Sequence, residues 1–208
     1  MRKFWEQYKL VFYILRHPFD GFYAMKFEHK GSMKVAAVNF LLMWVSFSFN
    51  NQYSSVIVNR TYPLGFNSLI DGISLLFMLV LWGIANWSVT SLTNGEGKFK
   101  EIIMSVCYSM TPIILIFIPA ALLSNVLAEG EGAFYYLLIW TAIALFLLLA
   151  YVGMLTVHNY TAGKALATVF LTLLAILVIL FLITLLFTLY QQLYTFVYSI
   201  YTEIVYRY

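Results

Sequence analysis

With one cysteine in 208 residues, Cys107, the chain has no intramolecular disulfide and no cysteine metal cluster. Charge is almost as scarce, since Asp, Glu, Lys and Arg make up 10% of the residues, against roughly a quarter in a soluble domain. The three histidines, His17, His29 and His158, are solitary, with no second His, Cys or carboxylate at ligand spacing. There is no Gly-x-Ser-x-Gly elbow and no His-Glu-x-x-His pair, and Gly95, Glu96, Gly97, Lys98 lack the remaining glycines and hydroxyl of a phosphate-binding loop. Apart from Asp71 at the edge of one of them, the long apolar runs hold no acidic or basic side chain. Proton relays, metal sites and water activation inside a membrane need such groups. The sequence therefore predicts no enzyme and no catalytic, metal-binding or cofactor-binding residues.

What the chain has instead is apolar length. It is 62% hydrophobic and 19% aromatic, too much for a soluble fold to hide. A helix crosses the hydrocarbon core with about 20 apolar residues. Five runs meet that length, at about 35–58, 69–91, 102–124, 134–156 and 167–189. Ten of the twelve Lys and Arg residues fall in the segments 1–34, 94–101 and 158–164. Cytoplasmic flanks retain such cations, so these segments are expected inside. The expectation is a multi-pass cell-membrane protein, all-α, with its N-terminus cytoplasmic and its C-terminus outside. The cations are sorted by membrane side rather than gathered in one stripe, so lipid headgroups are the expected partners and nucleic acid is not.

The pieces sort into a cytoplasmic interfacial segment 1–34, a five-span membrane domain 35–190 and an outer interfacial tail 191–208. In residues 3–16, Phe4, Tyr8, Val11, Phe12 and Leu15 share one helical face, opposite Lys3, Glu6, Lys9 and Arg16. This amphipathic helix is expected to lie in the interface or to dock on the protein, and to end before Pro18. The first span weakens at Asn50, Asn51 and Gln52, amides that face neighbouring helices or mark an early helix end. Asn59, Arg60 and Thr61 form a glycosylation sequon in a short outer loop with Pro63 and Gly65. In the third span, Pro112 and Pro119 each remove a backbone donor and are expected to bend the helix, with Ser105, Ser109 and Thr111 near enough to bond freed carbonyls. Tyr190, Tyr194, Tyr198 and Tyr201 continue the last span as an interfacial helix. No repeat or low-complexity segment stands out.

The run NGEGKFKEIIMSVCYSMTPIILIFIPAALLS, Asn94 to Ser124, resembles the bacterial branch of the Yip domain family, membrane proteins related to eukaryotic Rab-interacting trafficking factors. HPFDGF at His17 to Phe22 and HNYTAGKA at His158 to Ala165 are similar to the same family, and together these elements cover about 17–170. The resemblance implies five spans and a cytoplasmic N-terminus. Eukaryotic members carry a DLYGP-type motif that this chain lacks, so small-GTPase binding is not carried over.

Two functional classes follow. One is a non-enzymatic membrane-organising or scaffold component. The other is an accessory or membrane subunit of a transporter, such as an ABC importer, whose 94–101 loop would contact a cytoplasmic partner. Under the second, Asn39, Asn50, Asn51, Gln52 and Asn86 would line a small pathway; under the first they bond helix to helix. The residues singled out for partner or structural roles are Gly95, Gly97, Lys98, Lys100, Pro112, Pro119, Asn86 and His158. The partner is expected to be another membrane protein or a second copy of the chain.

Overall fold

Asn67 opens the second long apolar run by accepting from the backbone N–H groups of Leu69 and Ile70 at 3.0 and 3.3 Å. That satisfies two of the donors a helix start leaves free. The computed structural model of the protein describes residues 2–59 and 67–206. Arg60, Thr61, Pro63, Gly65 and Arg207, and with them the completion of the sequon, lie outside those residues. The described residues form α1 (Arg2–Arg16), α2 (Pro18–Lys26), α3 (Met33–Tyr53), α4 (Ser68–Leu92), α5 (Phe99–Ser109), α6 (Thr111–Ser124), α7 (Gly132–His158) and α8 (Ala162–Tyr206). Counting α5 and α6 as one membrane crossing, five segments are long and apolar enough to span.

The central element is the α5–α6 pair. It packs against α3, α4 and α7; α2 lies on α7 and α1, α1 reaches both α5 and α6, and α8 lies outside and packs chiefly on α4. The core joins Ile14, Phe22, Met25, Val35, Tyr108 and Val157.

Two expectations need correction, and an alternative left open for α1 is resolved. The first span ends at Tyr53 rather than Val58, because the chain turns where its last carbonyls find other donors. The Ser54 hydroxyl donates to Asn50 O at 2.6 Å, Asn59 Nδ2 to Asn51 O at 2.6 Å and Asn125 Nδ2 to Tyr53 O at 2.8 Å. The third span is not one bent helix. It breaks at Met110 into α5 and α6, while Pro119 sits inside α6 without interrupting it. Pro112 cannot donate to the carbonyl of Tyr108, four residues earlier. The Thr111 hydroxyl takes that carbonyl at 2.7 Å, and Asn39 Nδ2 on α3 donates to the neighbouring Cys107 carbonyl at 2.6 Å. Finally, the apolar face of α1 is divided. Leu10, Val11 and Ile14 are buried in the core, whereas Trp5, Phe12 and Tyr13 remain exposed. One stripe docks on the protein and an adjacent aromatic stripe stays free.

Candidate functional site

His158, the last residue of α7, is 1% exposed, and among the described residues buried that completely only Tyr108 is a larger polar side chain. α7 can stop there because Asn159 takes a left-handed conformation (φ 54°, ψ 45°), which asparagine tolerates well. The stop turns the imidazole toward α4 and the 93–98 loop. Gly97 N–H donates to His158 Nδ1 at 3.3 Å, and His158 Nε2 lies 3.2 Å from Asn86 Oδ1. An Nδ1 that accepts must be unprotonated, so the proton of the neutral ring sits on Nε2 and is donated to Asn86. Asn86 Nδ2 in turn donates to Thr172 Oγ1 on α8 at 3.2 Å, and the Thr172 hydroxyl to Thr168 O at 2.7 Å. A single directed chain thus runs from the loop through α7 and α4 into α8.

The loop fits only without side chains. A Cβ on Gly97 would lie 2.6 Å from His158 Cε1 and 2.7 Å from Val157 Cγ1; one on Gly95 would lie 2.7 Å from both His158 Nδ1 and the Tyr160 hydroxyl. Tyr160 stacks on His158, with centroids 5.4 Å apart, and pairs its hydroxyl with Thr93 Oγ1 at 2.7 Å. The cavity beside Asn86 and His158 holds about 10 Å³, room for one water at most. Among the described residues no buried side-chain nitrogen or oxygen lacks a partner.

Lys26 closes the cluster from the side. Its side chain is 9% exposed, and its ammonium donates to Val157 O at 2.8 Å and sits 3.4 Å from Glu96 Oε2. A cation on the last carbonyls of α7 is favourable for the helix dipole. Asn159 Nδ2 donates to Glu96 Oε1 at 3.3 Å. The hydrogen bonds from Asn159 and Lys26, with the charge of Lys26, hold the Glu96 carboxyl below its ordinary value of 4.5. A carboxylate with a depressed folded pKa stabilises the fold above the unfolded pKa, and that contribution is lost as pH falls through the folded value. Wild type is therefore expected to melt slightly above Glu96→Gln at neutral pH, and the gap to close below pH 4.5. A gap that persists in acid would place the effect outside the carboxylate.

Four of the singled-out residues, Asn86, Gly95, Gly97 and His158, thus meet in one cluster. Lys98 and Lys100 are exposed at the start of α5, and Pro112 and Pro119 belong to α6 and take no part. Of the membrane amides, Asn39 and Asn50 are buried and bond other helices, Asn50 through Phe117 O at 3.1 Å and the Tyr135 hydroxyl at 2.8 Å. Asn51 is half-buried and Gln52 exposed. Sequence reasoning missed Lys26, Tyr160 and Thr172. Thr172, with Thr168, is a hydroxyl four residues along an otherwise apolar run, which was the available signal.

At the same end of the molecule two open grooves flank α2. One, of about 780 Å³, lies against α1 and is lined by Lys9, Tyr13, Asp20, Tyr23 and Lys30. The other, of about 490 Å³, lies against α7 and is lined by Phe19, Tyr23, Phe27 and Tyr160.

No curated protein and no solved structure matches the chain. A family model described as the Yip1 domain matches residues 12–200, from the middle of α1 to near the end of α8, and so includes every residue of the cluster. This multi-pass, all-helical membrane protein belongs to the Yip1 domain family.

Proposed function

We propose that the protein is a non-enzymatic organiser of the membrane in which it sits, with the end that carries α1, α2 and the 93–98 loop facing the cytoplasm. The observation that supports this reading is closure. Among the described residues the buried polar side chains all have protein partners, around His158 and at Asn39 and Asn50 alike, and the cavity beside His158 has room for about one water, whereas the exposed aromatic stripe of α1 and the grooves beside α2 lie open on the surface. A carrier needs polar groups that can exchange partners with a solute, and these bond helix to helix instead. The transporter-accessory reading asks the 94–101 loop to engage a partner, yet Gly95 and Gly97 pack against His158 and so commit the middle of the loop to the protein's own interior, leaving Asn94, Glu96, Lys98, Phe99 and Lys100 exposed.

Purification from native membranes in mild detergent tests the choice. The chain is expected with lipid and with copies of itself. A stoichiometric permease or ATPase in the same particle would overturn the organiser and establish the accessory subunit.

A further inference from the structure

α8 is 45 residues long, against 25 for α4 and 27 for α7. At 1.5 Å per residue it outruns its neighbours by roughly 30 Å, about the thickness of the hydrocarbon core. All residues from 181 to 206 are exposed except the half-buried Thr202, although Leu, Ile, Val, Phe and Tyr dominate the segment and no charge appears before Glu203. An apolar helix projecting this far from the bundle must be covered by something.

The sequence of the projection has a seven-residue period that its tyrosine spacing conceals. FLITLLF (181–187), TLYQQLY (188–194) and TFVYSIY (195–201) align position by position. The second and sixth positions form an unbroken apolar seam at alternating spacings of four and three, Leu182, Leu186, Leu189, Leu193, Phe196 and Ile200. That alternation is the signature of a coiled-coil seam. Thr184, Thr188, Gln191 and Thr195 take the opposite side. Read backwards, the same register passes through Ile179 and Ala175 to Thr172 and Thr168, the two hydroxyl residues that α8 buries, and Thr172 is bonded to Asn86 of α4. The seam is one continuous surface, covered by α4 where α4 is present and bare beyond it.

We propose that the bare part of the seam is covered by the same part of α8 from a second copy of this chain, as a parallel coiled coil beyond the bundle. The partner must supply an uncharged apolar seam of matching period, which α8 itself has. Two copies inserted with the same orientation are related by an axis along the membrane normal, so their helices run parallel and in register. The backbone is helical without interruption across Thr188 to Gln192, so the projection has no break at which to fold flat onto a bilayer. The pairing holds whether the chain organises membrane or serves a transporter.

Single cysteines in a Cys107→Ser background, in the full chain reconstituted in phosphatidylglycerol and phosphatidylethanolamine vesicles, test it by oxidative cross-linking. Leu189, Leu193 and Phe196 positions are expected to give about fivefold more covalent dimer than Thr188, Gln191 and Thr195, following the seam. In detergent, Leu193→Glu is expected to convert the wild-type dimer to monomer while Thr195→Glu leaves it dimeric. Cross-linking without phase, or a phase centred on Gln191, overturns the proposal. So does a nitroxide at Leu193 that reports lipid contact with no cross-link, which would lay the helix on the bilayer.

Discussion

Gly97→Ala is expected to lower thermal stability in detergent by several degrees, out of proportion to the addition of one methyl group. The new carbon would lie 2.6 Å from His158 Cε1 and 2.9 Å from His158 Nδ1, with Val157 on its other side. No glycine in the described chain has a positive φ, so the penalty is one of space rather than of backbone conformation. The imidazole cannot swing aside, since Asn86 holds its Nε2 and Tyr160 stacks on its face. Overpacking a core of this kind costs about 1–3 kcal/mol. The loop is expected to leave its seat, so trypsin should cut faster after Lys98 and Lys100. Gly163→Ala serves as the control, because a Cβ there meets nothing within 4 Å. Combining Gly97→Ala with His158→Ala removes the obstruction, and the pair is expected to cost less than the sum of its parts. Strict additivity, or a Gly97→Ala protein that melts like wild type, would show that the loop is not locked to the ring.

The number of spans was legible in the sequence because membrane insertion depends on apolar length, and that is a local property of each run. The helix break was half legible. Two prolines mark the third span, but only one of them stands at a break between helices. Pro112 falls where α6 can begin afresh, with Thr111 and Asn39 supplying the donors that the break requires. Pro119 leaves α6 continuous; it follows Ile118, which has no hydroxyl to take the freed carbonyl as Thr111 does before Pro112, but that difference alone did not mark where the helix would break. The cluster was legible only as scattered parts. His158, Asn86, Gly95 and Gly97 each stood out as a polar or small residue in an unusual place, but they are up to 72 residues apart. Their meeting depends on how α4, α7 and the loop pack. In the sequence Lys26 is one more interfacial cation, because a burial that depends on the carbonyl of Val157 leaves no trace near residue 26. The seven-residue period of 181–201 is overlain by Tyr190, Tyr194, Tyr198 and Tyr201, whose helical spacing is that of an interfacial anchor.

Asn86→Leu is expected to be the most damaging isosteric change in the bundle. Asn86 is the only residue in the chain of hydrogen bonds that touches both α7 and α8 from α4, through His158 Nε2 and Thr172 Oγ1. Leucine fills nearly the same volume, so the effect is not a cavity. It strands the Nε2–H of a histidine that is 1% exposed, and leaving a buried donor unsatisfied costs about 1–3 kcal/mol. The Thr172 hydroxyl suffers less, since it still donates to Thr168 O. Asn39→Leu provides the comparison at equal burial. The Cys107 carbonyl that it abandons keeps the Met110 N–H at 3.3 Å, so the loss there should be smaller. Asn86→Leu should therefore melt below Asn39→Leu, and should loosen the contact between α4 and α8 as read by hydrogen exchange in both helices. His158→Leu added to Asn86→Leu removes the stranded donor and leaves only Gly97 N–H without its acceptor. The double variant should therefore be no less stable than Asn86→Leu alone. If Asn39→Leu proves the worse of the two, the break between α5 and α6, rather than the histidine cluster, is what fixes the arrangement of the helices.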